Sequence, residues 1–472
     1  MRNSFSISTF ISDLSIVGTA NIGVFVIGVV QGLIIPKILT IEDYGYWKLF
    51  LLYTGFSGLL HLGFTDGIYL HWAGKQMNEL TDIIREAFWV LFIHLTIVAL
   101  ILLLIFLFYD FANKNILILA LIYAFILNII TFFQFTFQAV RRFRIVSILN
   151  VIRPLFFLSI VGILYFLKIL DHEKVIQCYI GACLLAFISY SYSLKEKIEF
   201  PLRKELRYLG VLSKYIASGW SLLFGNFIVF LILNADVIIV GALFSIKKFA
   251  FYAFAITILG IFSVFTNTIS TVIFPHLAAA TTEIRNKAFS LSASVIVLMW
   301  GIILGIYPFA AAFISFFLPD YSETLPYIRV LMLTVAFITA IQILHNNYYK
   351  LYFQQTKYLL SALVISLISF ASILVVARYT YDLEIIALVK VGVLFLWFVV
   401  NELILMKYIE HSLRSLLKRL SIIFYFSLIF WVSWYFESIV LQVAFYFLMV
   451  LIISMIFLKN EIKNLKKLRY VQ

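Results

Sequence analysis

Residues 84–108 read IREAFWVLFIHLTIVALILLLIFLF. After Glu86 the stretch holds no Asp, Glu, Lys or Arg. At about 1.5 Å rise per residue it crosses the roughly 30 Å hydrocarbon core of a bilayer as one helix. Outward in both directions, apolar runs of about 17 to 29 residues follow one another from Ile16 to Leu458, separated by short polar breaks. We therefore expect an all-α membrane protein with about fourteen transmembrane helices. Composition agrees. The chain is 64% hydrophobic and 12% charged with a mean hydropathy of +1.05, whereas soluble domains carry about 25% charge. A soluble enzyme or nucleic-acid-binding domain is excluded.

The expected spans cover 16–39, 47–70, 84–108, 116–138, 145–167, 175–192, 215–243, 249–274, 289–317, 326–348, 358–377, 383–406, 420–436 and 439–458. An even number puts both termini on one side of the membrane. With the N-terminus cytoplasmic, most of the 36 Lys and Arg fall in cytoplasmic loops, including Arg141, Arg142 and Arg144, the stretch 195–214, the group Arg414, Lys418 and Arg419, and the tail after 458. The net charge of +13 is thus a topological signal with an attraction for anionic lipid headgroups, and no nucleic-acid partner is expected. The opening MRNSFSISTF lacks the features of a cleaved signal, so the first span is expected to stay. Cys178 and Cys183 offer neither a disulfide framework nor a metal site. No metal or cofactor is expected.

The longest polar interruption, 193–214, separates two blocks of six spans. Leu206, Leu209 and Leu212 give it the spacing of an amphipathic surface helix. The segment Leu39-Thr40-Ile41-Glu42-Asp43-Tyr44-Gly45-Tyr46, which joins the first two spans of one block, is matched in character by Phe244-Ser245-Ile246-Lys247-Lys248-Phe249-Ala250-Phe251 in the other. Blocks of six share an orientation, so the repeat is parallel, about an axis along the membrane normal. The expected organisation is an N-terminal six-helix lobe (1–194), a cytoplasmic linker (195–214), a C-terminal six-helix lobe (215–410), and two extra helices with a basic tail (411–472).

Thr40-Ile41-Glu42-Asp43-Tyr44-Gly45, Leu62-Gly63-Phe64-Thr65-Asp66-Gly67-Ile68-Tyr69-Leu70, Asn234-Ala235-Asp236-Val237-Ile238-Ile239-Val240-Gly241 and the Phe274-Pro275 ending of span eight resemble the polysaccharide flippases of the MATE-like multidrug/oligosaccharidyl-lipid/polysaccharide superfamily. The resemblance runs over essentially the whole chain. It implies a bacterial inner-membrane protein, with both termini cytoplasmic, that moves undecaprenyl-pyrophosphate-linked oligosaccharide between leaflets. The route implied is a V-shaped cavity between two six-helix lobes, worked by alternating access. Membrane lipids and a polysaccharide polymerase complex are the implied partners. The chain departs from the pattern at His71, where such sequences commonly carry a fixed cation.

Polar residues inside spans are costly in lipid and mark helix contacts or a wet lumen. Span eight carries Ser263, Thr266, Asn267, Ser270 and Thr271 on one face, and span one carries Asn21 and Gln31 on one side. These are candidate lumen residues for glycan hydroxyls, with interhelical hydrogen bonding as the alternative. Span four has Asn128, Thr131, Gln134 and Gln138 on one face. Gly28-x-x-x-Gly32 and Gly301-x-x-x-Gly305 read as close-packing sites. Arg153 in span five and Lys390 in span twelve are candidate partners for a pyrophosphate, against the alternative of snorkelling to the interface. Asp66 and Asp236 are candidates for charge pairs or for a coupling ion. Arg141, Arg142 and Arg144 could capture an anionic lipid substrate or simply fix topology.

Two rivals remain at this level. A multidrug exporter of the same superfamily would be expected to hold acids deep in its lumen. A membrane glycan polymerase or glycosyltransferase could use Glu42-Asp43 but would need long external loops, which the span spacing does not leave. The charge distribution predicts that cysteines introduced as Glu205→Cys and Lys466→Cys resist a membrane-impermeant reagent applied outside intact cells; labelling of either would overturn the orientation.

Overall fold

The computed structural model describes residues 7–194, 208–410 and 412–457; for 7–14 and several residues of the ninth helix only the backbone is described. Its α-helices are α1 (Ile7–Ile38), α2 (Ile41–Thr54), α3 (Phe64–Trp72), α4 (Thr81–Phe108), α5 (Lys114–Ala139), α6 (Phe143–Phe166), α7 (His172–Ser193), α8 (Tyr208–Leu243) and α9 (Ile246–Ala279). They continue as α10 (Thr282–Leu304), α11 (Tyr307–Phe317), α12 (Leu325–Leu331), α13 (Thr334–Ala340), α14 (Asn346–Leu351), α15 (Gln355–Thr380), α16 (Leu383–Leu405), α17 (Leu413–Ser433) and α18 (Ile439–Phe457). Among the described residues there is no strand. Two compact units emerge, Met1–Phe227 and Ile228–Gln472, with the division falling inside α8.

Among the described residues twelve helices are long and apolar enough to cross a membrane, or thirteen if one bent pair counts as a span, against the expected fourteen or so. Two of the expected spans are broken. Expected span 47–70 is α2, a 3-10 turn over Ser57–His61, and α3. Expected span 326–348 bends by 52° between Pro319–Leu331 and Thr334–Leu351, and continues through a π-helical turn at Ile341–His345. Residues 195–207 lie outside the described residues, but 208–214 are the opening turns of α8. The tail after 457 lies outside the described residues as well.

A broken helix at membrane depth exposes carbonyls that lipid cannot hydrogen-bond, so side chains must take them. In the first unit the break is made by Leu62 (φ 52°) and Gly63 (φ 84°), both left-handed. Asn128 of α5 donates to the Ser57 carbonyl at 3.0 Å, and His94 of α4 donates to the Leu60 carbonyl at 3.0 Å. His61 Nδ1 accepts the Gly63 N–H at 3.0 Å. In the second unit Trp300 of α10 donates to the Met332 carbonyl at 3.1 Å, between α12 and α13. Ser270 of α9 donates to the Gln342 carbonyl at 2.9 Å within the π-helical turn, and Asn347 returns a bond to Ser270.

α5 packs against α2, α3, α4 and α7, and α1 lies along α6. Rings of Trp47, Tyr123, Phe157 and Tyr179 fill the space between α2, α5, α6 and α7, with Trp47 5.6 Å from Phe157 and Tyr123 5.2 Å from Tyr179. In the second unit α16 packs on α12, α13 and α15, while α17 and α18 lie on α10. Gly301 and Gly305 make that last contact possible, since a Cβ on either would meet the ring of Phe426 or Phe447. At Gly28, by contrast, a Cβ would meet nothing within 4 Å.

Both units close their first joint with the same device. Thr40 (φ −63°, ψ 159°) caps α2 through the Asp43 N–H, and Ser245 (φ −62°, ψ 152°) caps α9 through the Lys248 N–H. The side chain three residues past the cap then ties down the start of a later helix. Asp43 accepts from His172, at the start of α7, at 2.6 Å, and Lys248 donates to the carbonyl of Tyr381, just before α16, at 3.4 Å. Burial alone would raise the Asp43 carboxyl, but hydrogen bonds from Thr40 and His172 outweigh it and hold the group below its ordinary value. The stabilisation is present above the ordinary carboxylate range and is lost as pH falls through that depressed value.

The tightest backbone approach in the first unit is α3 against α8. A Cβ on Gly67 would land on the Tyr215 carbonyl, and one on Gly219 on the Gly63 carbonyl. Gly67→Ala and Gly219→Ala are expected to lower the thermal midpoint of the purified protein by several degrees. Gly18→Ala, where a Cβ meets nothing within 4 Å, should leave it unchanged; equal effects would contradict the crossing.

Candidate functional site

Span interiors hold three clusters built around a cation. The first joins α8, α9 and α16. Lys390 Nζ donates to both oxygens of Asp236 at 2.9 and 2.8 Å and to the Leu233 carbonyl at 2.9 Å. Tyr252 donates to Asp236 at 2.7 Å. The aspartate is fully buried and Lys390 is 5% exposed. Two charges desolvated together are stable only with such saturated geometry. Lys390, but not Asp236, lines a cavity of about 220 Å³ together with Ser263, Thr266, Thr334, Thr339 and Gly260. Lys390 thus reaches a cavity with its charge already matched. Asp236 would be open to a coupling ion only if the ammonium left.

The second cluster lies between α5, α6 and α7. Arg153 is half-buried and sits near Tyr123, Tyr179, Tyr190 and Cys183. Gln134 donates to Asn150 at 2.9 Å in the same polar interior. Among the described residues no carboxylate pairs with Arg153. Its charge is met by phenol and thiol dipoles alone. A guanidinium can bind a phosphate through two parallel hydrogen bonds.

The third cluster was not legible in the sequence. Glu402 of α16 accepts from Arg419 of α17 at 2.6 Å and lies 3.3 Å from His345 Nε2 in the π-helical turn. All three are buried. Glu402, inside an apolar span, was the available signal; Arg419 looked like one more basic loop residue. The cluster fastens α17 to the body of its unit. Farther along α17, the Arg329 guanidinium lies 4.5 Å from the Trp431 ring.

The remaining candidates fall into separate places. Thr266 and Ser270 bond to the bent span, Thr266 at 3.4 Å from Thr339 and Ser270 to Gln342, so this part of the α9 stripe serves helix contacts. Ser263 lines the cavity. The side chains of Asn267 and Thr271 lie outside the described residues. Asn21 is exposed and Gln31 half-buried on α1. Asp66 stands in the first turn of α3, where a negative charge complements the helix dipole. It is 4.0 Å from His61 Nδ1, the nitrogen that already accepts the Gly63 N–H, so the two form no ion pair. Arg141, Arg142 and Arg144 are exposed at the α5–α6 turn. There Arg141 (φ 61°) is the left-handed residue that ends α5, with the Arg142 N–H returning to the Phe137 carbonyl at 2.8 Å. Of the Glu42-Asp43 pair, Asp43 is committed to His172.

Many apolar helices, two of them broken and re-satisfied by side chains, with cations held inside, make a polytopic membrane protein of MATE-like fold. A solved lipid II flippase, MurJ, in an inward closed conformation is similar with a TM-score of 0.69 at 13% identity, over 94% of this chain and 99% of that one. An inward-facing multidrug resistance MATE family transporter of the MOP superfamily gives 0.54 at 13% identity, over 89% and 97%. At these identities the likeness is one of fold. Residues 10–281 match the family described as polysaccharide biosynthesis protein, and the chain belongs to that family. The family and these folds are those of flippases and transporters, not enzymes. No curated protein sequence matches the chain.

If the Lys390–Asp236 pair is structural, breaking it from one side should cost far more than removing it whole. Asp236→Asn, which strands a buried ammonium, is expected to destabilise by about 3–5 kcal/mol, and the double variant Asp236→Leu/Lys390→Met by much less. Thermal unfolding of the purified variants measures this; equal losses would mean that the two charges are not coupled.

Proposed function

We propose that the protein is a flippase that translocates an undecaprenyl-pyrophosphate-linked oligosaccharide, a repeat unit of O-antigen, capsule or exopolysaccharide, across a bacterial inner membrane by alternating access. Membership of the polysaccharide biosynthesis family supports the substrate class. The observation that carries the reading is Arg153, an interior guanidinium with dipolar neighbours and no carboxylate among the described residues. A pyrophosphate crossing the membrane needs such a partner, because an unmatched anion in low dielectric is prohibitively costly. Lys390 is the weaker candidate, since Asp236 already neutralises it. The termini are cytoplasmic in this reading, and the lobes 1–194 and 215–410 are the moving halves. The polyprenyl tail stays in lipid, since moving it through a polar path would forfeit about 0.8 kcal/mol per methylene. Arg141, Arg142 and Arg144, exposed at one helix turn, suit a first encounter with the anionic headgroup. A polysaccharide polymerase is the natural downstream partner.

Export of cationic drugs fits less well. Buried Asp236 and Glu402 are both engaged by cations, Lys390 and Arg419. Cells relying on this protein as their flippase provide the test. Arg153→Gln should abolish surface glycan and accumulate lipid-linked repeat units at normal protein levels, and Arg153→Lys should retain intermediate function. Full function of Arg153→Gln would remove the phosphate assignment, and a change in drug susceptibility without a change in glycan would favour export.

A further inference from the structure

The opening turns of α10 and α17 enclose a second cavity of about 220 Å³, lined by Ser290, Ser294, Arg414, Ser415, Lys418 and Arg419 among others. Its volume is several times the roughly 30 Å³ that one water occupies in the liquid. Among the described residues the lining holds three cationic side chains and hydroxyls but no carboxylate. Arg419 is the buried floor, 4% exposed. Its Nη2 is bound to Glu402, and its Nε has no hydrogen-bond partner. The N-terminus of α17, capped by Ser412, adds its partial positive charge from the same side. On the outer flank of this turn Leu413 and Leu417, one helical turn apart, are 56% and 55% exposed.

We infer that this cavity binds the phosphate of an anionic phospholipid headgroup. Arg419 and the serine hydroxyls supply short-range donors at the base. Arg414 and Lys418 supply the long-range field at the mouth, and the exposed leucines give the acyl chains a surface beside it. Since α17 is itself a membrane-crossing candidate that begins here, its first turn lies at headgroup depth. Free inorganic phosphate shares the chemistry but would make no use of the leucine flank. The bound lipid would clamp α10 to α17 next to the Glu402–Arg419 contact. This inference stands apart from the transport reading and from Arg153.

The full-length protein, purified and delipidated in a neutral detergent, is titrated with phosphatidylglycerol, with phosphatidylcholine of the same chains, and with inorganic phosphate. Native mass spectrometry and the thermal midpoint report binding. Phosphatidylglycerol is expected to bind in preference to phosphatidylcholine. Arg414→Gln/Lys418→Gln should weaken it about 30-fold, taking roughly fivefold for each basic residue near an anionic headgroup. Lys287→Gln, an exposed lysine outside the cavity and paired with Glu283, should change nothing. Ser294→Leu, which fills the cavity and leaves every charge in place, should weaken binding too, and it carries the test if the double variant does not fold. Equal binding of the two lipids, unchanged binding in both cavity variants, or inorganic phosphate matching phosphatidylglycerol at equal concentration would each overturn the inference.

Discussion

Everything in this fold depends on satisfying backbone carbonyls where no water can reach them. Two of the expected spans are broken, and each break releases carbonyls into a region where an unpaired polar group costs several kcal/mol. Asn128 and His94 take those at Ser57 and Leu60; Trp300 and Ser270 take those at Met332 and Gln342. Each donor comes from a different helix than the one it repairs. The breaks therefore dictate which helices must neighbour each other, and the rest of the packing follows from that.

The same constraint sorts the interior polar residues. A side chain that caps a released carbonyl, as Asn128 and Ser270 do, is already spent on structure. Lys390 and Asp236 spend their charges on each other, with Tyr252 and the Leu233 carbonyl completing the set. Glu402 is engaged by Arg419 and faces His345. Arg153 carries its charge with no carboxylate beside it among the described residues. It is set among tyrosines that hold a guanidinium without neutralising it. The first joints of the two units are built alike, whereas the buried ion pairs Lys390–Asp236 and Arg419–Glu402 both belong to the second.

Hydropathy made the helices legible because a lipid-facing helix has no freedom to be polar, and the paired joints at Thr40 and Ser245 were legible because capping is local. The breaks were hidden. Leu62-Gly63 sits in an apolar run, and its left-handed turn depends on the approach of Gly219, far along the chain. Pairing was equally invisible. Lys390 and Asp236 are 154 residues apart, and nothing in either neighbourhood names the other. For the same reason the polar stripes of α5 and α9 could be read as lumen or as contact, a choice that only the positions of Ser57 and Gln342 resolve. Glu402 could have been noticed as an intramembrane acid, but Arg419 is indistinguishable in sequence from the basic residues that set topology.

In the function proposed, Arg153 meets the substrate's phosphate while Lys390 serves the fold. Reconstitution in liposomes separates the two. A fluorescent polyprenyl-pyrophosphate oligosaccharide is placed in the inner leaflet, and its arrival outside is read with an impermeant quencher. Wild-type transfer rates are expected for a folded variant lacking the whole Lys390–Asp236 pair, and none above background for Arg153→Gln. Transfer that survives loss of Arg153 and vanishes with the pair would contradict it.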